Sequence, residues 1–211
     1  MVRIAVFASG TGSNYKAIMK YADQLAVPDI QISLLVCDQP QAGAIAKAQQ
    51  WQTPVFLVQR RQFADKKAFE QHILLRLKED KIEFIALAGY MRLIGPTLLN
   101  EYYGRIINLH PSLLPTFPGL DAVGQALSAG VKVTGVTVHF VDAGMDTGPI
   151  IAQQAVTVDD CDDHESLSRK IHAVEHDLYP RIVHQCATGQ IYLDQGRVCS
   201  RVLSSLRSSE E

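Results

Sequence analysis

The sequence predicts an α/β protein: a Rossmann-like, mostly parallel twisted sheet with helices on both faces and an antiparallel C-terminal extension. Three observations carry this reading. Short, continuously apolar runs alternate with segments of helical period as far as His110, the pattern of strands buried on both faces and joined by crossover helices. The first run ends in a glycine turn, Ser9-Gly10-Thr11-Gly12-Ser13-Asn14, at a strand-to-helix junction. Beyond Val131 the alternation gives way to two long β-rich runs, so a sheet extension with an antiparallel strand follows.

Element by element, Arg3 to Ser9 reads as a buried strand and Asn14 to Gln24 as a helix. Gln31 to Cys37 is a second strand, Ala42 to Trp51 a helix and Val55 to Val58 a third strand, which completes βαβαβ. Phe69, Ile73, Leu74 and Leu77 recur at helical spacing, and Phe84-Ile85-Ala86-Leu87-Ala88 is a buried strand closed by Gly89. Pro96 suits the first turn of a short helix reaching Tyr103, and Ile106-Ile107-Asn108-Leu109-His110 is the next strand. Val133 to Val141 and Pro149 to Val158 are the β-rich runs, joined by Asp142-Ala143-Gly144-Met145-Asp146-Thr147-Gly148. Asp159 to Asp163 supplies helix-start chemistry for a long closing helix from Leu167 to Val183, and short strands follow from Gly189.

The 211 residues suit a single domain, 1–211, with a flexible tail from about residue 203. No apolar run approaches the ~20 residues that span a bilayer, and the N-terminal run is too short for a signal-peptide core. A cytoplasmic protein without membrane contact is expected. The four cysteines are scattered without a CxxC pair, which suits reduced thiols. A net charge of -2 gives no basic footprint for nucleic acid, so an anionic ligand must be met locally.

The segment Asn108-Leu109-His110-Pro111-Ser112-Leu113-Leu114-Pro115 is the most informative. Asn108 and His110 are two apart, so in an extended strand they share a face, just where Pro111 ends the ladder. A carboxamide beside an imidazole can donate to an oxygen that becomes negative during acyl transfer, and the imidazole can move a proton. The alternative is a strand end whose polar groups satisfy loop backbone. The glycine turn offers backbone amides and a helix N-terminus to a phosphate. It is not a dinucleotide fingerprint, because Tyr15 occupies the last glycine position of GxGxxG, although Asp38 could imitate a ribose-binding acid. The other reading is a tight turn capped by Ser13 or Asn14. His172-Ala173-Val174-Glu175-His176 matches the HxxEH zinc-peptidase pattern, but only 35 residues follow it and the two Glu residues among them are the terminal pair, so no metal is expected.

Taken together, SGTGSN after the first strand, AGYMRLIGP after the fourth, INLHPSLLPTFPG after the fifth, TGVTVHFVDAGMDTGPI and the Glu175 helix resemble the phosphoribosylglycinamide formyltransferase family of folate-dependent enzymes. The order and spacing of these motifs cover nearly the whole chain. HPSLLP alone also occurs in methionyl-tRNA formyltransferases and formyltetrahydrofolate deformylases, which carry an additional domain. The resemblance implies formyl transfer from 10-formyltetrahydrofolate to the glycinamide amine of phosphoribosylglycinamide, the third step of de novo purine synthesis, by a monomer or weak homodimer that uses no metal. It implies Asn108, His110 and Asp146 as the catalytic trio, in which a carboxylate beside the imidazole favours its charged, donating form. It implies Gly12, Ser13 and Asn14 for the substrate phosphate and Glu175 for the glycinamide end. His172 stands where relatives place other polar residues, on the same substrate-binding segment.

By the same resemblance Met91, Arg92, Leu93 and Ile94 line the pterin pocket, largely through backbone groups. Asp142, Ala143, Gly144, Met145 and Asp146 close over the same ring, with Asn108 beside it. Lys66 falls where an Arg commonly contacts the folate; lysine keeps the charge but lacks the two-point fork. Val136 and Thr137 vary the usual run before His139, which either orients the site or plugs the sheet end. The rival readings are a formyltetrahydrofolate hydrolase using the same trio with water, and a non-catalytic folate- or phosphoribosyl-binding module.

Overall fold

The computed structural model describes residues 1–25 and 28–201, so the expected tail from about 203 lies outside the described residues. The elements run β1 (Val2–Ala8), α1 (Ser13–Asp23), β2 (Ile30–Cys37), α2 (Gly43–Gln50), β3 (Val55–Leu57), α3 (Lys66–Glu79), β4 (Phe84–Leu87) and α4 (Pro96–Glu101). They continue with β5 (Ile106–His110), α5 (Ala122–Ser128), β6 (Val133–Phe140), β7 (Ile150–Thr157), α6 (His164–Ala187), β8 (Ile191–Asp194) and β9 (Arg197–Ser200). The expected elements are present, with ends shifted by a few residues. The additions are a 3-10 turn at Arg60–Gln62 and α5, whose three and seven residues are too few for a hydrophobic period to stand out.

Seven strands form one sheet in the order β3-β2-β1-β4-β5-β6-β7, and β8 and β9 form a separate hairpin. β1 to β5 pair in parallel, while β5 with β6 and β6 with β7 are antiparallel. Side chains alternate between two cores. Ile4, Val6 and Ala8 of β1 and Ile107 and Leu109 of β5 face the layer of α1, α2 and α6; Ala5, Phe7 and Ile106 face the layer of α3 and α4. Because both faces of the central strands are covered, their sequence is continuously apolar rather than alternating. No described helix is long and apolar enough to cross a membrane.

α6 starts at a capping box: the Asp163 carboxylate accepts from Ser166 N at 2.7 Å, and Ser166 Oγ accepts from Asp163 N at 3.0 Å. Leu167, Ile171, Glu175, Leu178 and Ile182 are all buried, at spacings of three and four that place them on one face against the sheet. A carboxylate thus sits in an apolar stripe. Tyr179, fully buried, donates from its hydroxyl to Leu87 O at 2.7 Å and reaches Ile107 O at 3.3 Å, tying α6 to the ends of β4 and β5. Tyr179→Phe is expected to lower unfolding stability by about 1–2 kcal/mol in urea titrations, because a buried carbonyl loses its donor. An unchanged midpoint would show that the tie contributes nothing.

Candidate active site

From β1 the chain moves outward to β2 and β3, and from β4 it moves the other way, to β5. The loops after β1 and β4 therefore diverge and open a crevice at the C-terminal ends of these strands. A cleft of about 480 Å³ lies there, lined by the glycine turn, the loop after β4, the end of β5, the β6–β7 loop and α6. Met91, Leu93, Leu120 and Met145 line it although they are 67, 52, 79 and 51 % exposed. Large apolar side chains left in water around a cleft mark an interaction surface.

Asn108 and His110 extend from β5 on the same face, as the two-residue period requires, and Asp146 comes to them from the β6–β7 loop. The Asp146 backbone is left-handed (φ 57), and its Oδ2 accepts from Gly119 N at 2.9 Å. His110 Nδ1 is 3.4 Å from Asp146 Oδ2, and His110 Nε2 is 2.8 Å from the Phe117 carbonyl. A carbonyl only accepts, so Nε2 carries the proton and Nδ1 is the nitrogen available for proton transfer. Asn108 Nδ2 donates to Asp146 Oδ1 at 3.4 Å and to His139 Nε2 at 3.2 Å. His139 is paired directly with Asn108 across β5 and β6, its Nε2 lies 3.7 Å from Asp146 Oδ1, and its Nδ1 donates to Phe140 O at 2.8 Å. Of the two sequence readings of His139, orienting the site is therefore the one its contacts support.

Burial pushes the Asp146 carboxyl up, but His139, the Gly119 N–H and His110 together outweigh that and leave it below the ordinary aspartate value. A carboxyl depressed on folding supplies stability that is complete above its unfolded pKa of about 3.9 and is lost as pH falls toward the folded value. The melting-temperature difference between the wild type and Asp146→Asn should therefore shrink as pH falls from about 5 to about 3. A difference constant over that interval would contradict the assignment.

At the other end of the cleft, Gly12 is the N-cap of α1 at φ 74, and no side chain caps the helix. The first-turn N–H groups are thus available to an anion, as the phosphate reading requires, and the alternative of a cap by Ser13 or Asn14 does not hold. Asn14 instead donates from Nδ2 to Glu175 Oε2 at 2.8 Å, and its buried Oδ1 has no hydrogen-bond partner. Burial raises the Glu175 carboxyl, with Asn14 and His172 pulling it partly back. His172 lines the cleft beside Glu175, and its ring stacks on that of His176 with centroids 6.1 Å apart.

Residues 2–183 match the sequence model of the formyl transferase family. The chain belongs to that family. This formyl transferase is 54% identical over 185 residues to phosphoribosylglycinamide formyltransferase of Bacillus subtilis (strain 168), a match spanning 88% of the chain and 94% of that protein. It is 36% identical over 200 residues to the human trifunctional purine biosynthetic protein adenosine-3, covering 93% of the chain and 20% of that longer protein. Among solved structures, glycinamide ribonucleotide transformylase 1 from Symbiobacterium toebii superposes with a TM-score of 0.90 at 39% identity, covering 95% of this chain and 94% of that one. The Geobacillus kaustophilus transformylase gives 0.83 at 54% identity over 87% and 97% of the two chains.

The fold of this formyl transferase brings Asn108, His110, Asp146, Gly12, Ser13, Asn14, His172, Glu175, Gly144, Met145 and the Met91-Arg92-Leu93-Ile94 run to one cleft. Lys66, Asp142 and Ala143 are not among the residues lining it. Lys66 sits on α3 with Nζ 3.9 Å from Glu70 Oε1. Asp142 shapes the β6–β7 loop, accepting from Gly144 N at 3.0 Å and Thr147 Oγ1 at 2.8 Å. Asp38, considered above as a ribose-binding acid, is spent on Ser9 and Arg92 at 2.6 Å each. Gly119 and Phe117, which act through backbone atoms, escape sequence reasoning; only the Pro-Gly turn at Pro118-Gly119 hints at a shaped backbone there.

Proposed function

We propose that this formyl transferase moves the formyl group of 10-formyltetrahydrofolate to the glycinamide amine of 5-phosphoribosylglycinamide, giving the N-formyl product and tetrahydrofolate in de novo purine synthesis. The observation that carries the reading is that one cleft joins an uncapped helix N-terminus and the Asn14–Glu175 pair to the Asn108, His110 and Asp146 cluster. The first provides for a phosphate, the second for an amide-bearing acceptor, and the third for acyl transfer.

In this reading Gly12, Ser13 and Asn14 hold the acceptor's phosphate, with His172 flanking it. Glu175 and the unmatched Asn14 Oδ1 accept from the N–H groups of the glycinamide end. The reduced pterin lies between the Met91-Arg92-Leu93-Ile94 loop and the loop bearing Asp142, Ala143, Gly144, Met145 and Asp146, against apolar Met91, Leu93 and Met145. Lys66, on α3, is the basic residue this reading assigns to the folate, at its glutamate or pterin end.

The amine attacks the formyl carbon and the carbonyl oxygen gains negative charge. Asn108 Nδ2 exchanges one of its long bonds for that oxygen, and protonated His110 donates to it from Nδ1 while Nε2 stays on Phe117. Asp146 Oδ2 faces Nδ1 of that imidazole at 3.4 Å. Through water, Asp146 takes the proton lost by the attacking amine, and one proton reaches the departing folate nitrogen as its bond to the formyl carbon breaks. No net proton is gained by the protein.

Consumption of 10-formyltetrahydrofolate with and without phosphoribosylglycinamide tests this. Turnover that depends on the acceptor and yields the N-formyl product is expected. Equal rates under both conditions, with formate released, would replace the transferase by the hydrolase.

A further inference from the structure

Two buried carboxylates outside the cleft hold the ends of the loop from Gly89 to Gly95. At the first end, Asp38, 3 % exposed after β2, accepts from Ser9 Oγ at 2.6 Å through Oδ1 and from Arg92 Nε at 2.6 Å through Oδ2. The Ser9 hydroxyl, oriented by donating to Asp38, accepts from Met91 N at 3.0 Å, and Ser9 N donates to Gly89 O at 3.0 Å. At the second end, Glu70, also 3 % exposed, reaches from α3 to accept from Gly95 N at 2.5 Å and faces the first-turn N–H groups of Thr97 and Leu98 in α4. Gly95 leaves no room for slippage: a Cβ there would lie 2.7 Å from both Glu70 carboxylate oxygens.

Between these anchors Met91 and Leu93 stand 67 and 52 % exposed. An unrestrained loop would turn such side chains inward to bury apolar surface. This one is held open by charge-assisted hydrogen bonds, the strong kind, to carboxylates that are themselves buried. The Arg92 guanidinium is paired to Asp38 and lies 5.9 Å over the Phe69 ring of α3, so it bridges toward the helix that carries Glu70.

We propose that Asp38 and Glu70 are positioning residues for the folate cosubstrate: they clamp the 89–95 loop in its binding geometry before the ligand arrives, and neither touches it. This rests on the assignment of that loop to the pterin made above. A loop already ordered loses less freedom on binding, so the clamp acts on affinity for the folate and not on the chemical step or on the phosphorylated acceptor.

The test combines tetrahydrofolate binding by calorimetry with steady-state kinetics on Asp38→Asn, Arg92→Met and their double variant, with melting temperatures recorded for each. Asp38→Asn is expected to raise the tetrahydrofolate Kd and the KM for 10-formyltetrahydrofolate about tenfold, with kcat and the KM for phosphoribosylglycinamide within about twofold; Arg92→Met, at a residue of the pterin loop itself, should raise the same two folate constants about as much and serves to complete the cycle with Asp38→Asn. The double variant should be no worse than either single change, because both remove one interaction. Ser9→Ala, which deletes one hydroxyl, and Glu70→Gln, which keeps an acceptor for Gly95 N, are milder and should each raise the folate KM about threefold. Wild-type folate affinity in these variants, additive effects in the double variant, or a loss confined to kcat would overturn the clamp. A wild-type protein that binds no tetrahydrofolate would overturn the pterin assignment itself, and the clamp with it.

Discussion

Replacing His110 by alanine is expected to lower turnover by about two to four orders of magnitude, from the loss of an oxyanion donor and a proton carrier at one position. Affinity for the phosphorylated acceptor should stay within a few-fold, because the glycine turn lies on another strand. The geometry separates His110's two nitrogens. Nε2 is committed to the Phe117 carbonyl at 2.8 Å, so only Nδ1, 3.4 Å from Asp146, is placed to act on substrate. His110→Asn should recover part of the loss if oxyanion donation dominates, and none if proton transfer does. Asp146→Asn should fall in the same range as His110→Ala. The two changes together should cost little more than either alone, since the groups act as a unit. Rapid-quench measurement of a single turnover provides the rates. Near-normal turnover in both single variants would remove the trio from the mechanism.

Gly12→Ala is the second large effect. The Gly12 backbone is left-handed at φ 74, a conformation that costs an L-residue about 1–2 kcal/mol. A Cβ built there would lie 2.6 Å from the Ala44 Cα and 2.8 Å from its Cβ, so the turn must move away from α2. Overpacking of this kind adds about 1–3 kcal/mol. For a chain of this size the sum corresponds to a fall in melting temperature of roughly 5–15 °C. In the proposed reading the turn holds the acceptor's phosphate, so the KM for phosphoribosylglycinamide should rise by more than about tenfold, while a displaced helix N-terminus leaves folate binding nearly unchanged. Calorimetric melting and acceptor titration check both parts. A variant with wild-type KM and melting temperature would detach the turn from the substrate.

The alternation of apolar runs with helical periods was enough to read the order of strands and helices through β5, because each such element satisfies its own local period. α5 lay beyond that reach, with two turns between a proline-rich loop and a short connection. The Asn108–His110 pair was legible for the same reason as the strands: two residues apart on one strand must share a face. His139 was ambiguous because a lone polar residue in a β-rich run says nothing about its cross-strand partner. The antiparallel register that sets it opposite Asn108 turns it into part of the site. Lys66 shows the converse, since the family resemblance sets it at a folate-contacting position while its side chain leans on Glu70. Arg92 shows a further difference, since it lines the cleft while its guanidinium is paired to Asp38.

What the chain's sequence determined was the α/β architecture, the anion-type turn after β1, the polar end of β5 and, through the family they belong to, formyl transfer. All of these rest on short-range periodicity or contiguous motifs. The tertiary structure alone decided which nitrogen of His110 faces Asp146, that Phe117 and Gly119 hold His110 and Asp146 through backbone atoms, and that Asp38 and Glu70 bond to the loop after β4. Each of these joins groups from separate segments through angles and distances of a few ångströms. Such geometry is set by strand register and loop closure, and neither leaves a local mark on composition or spacing.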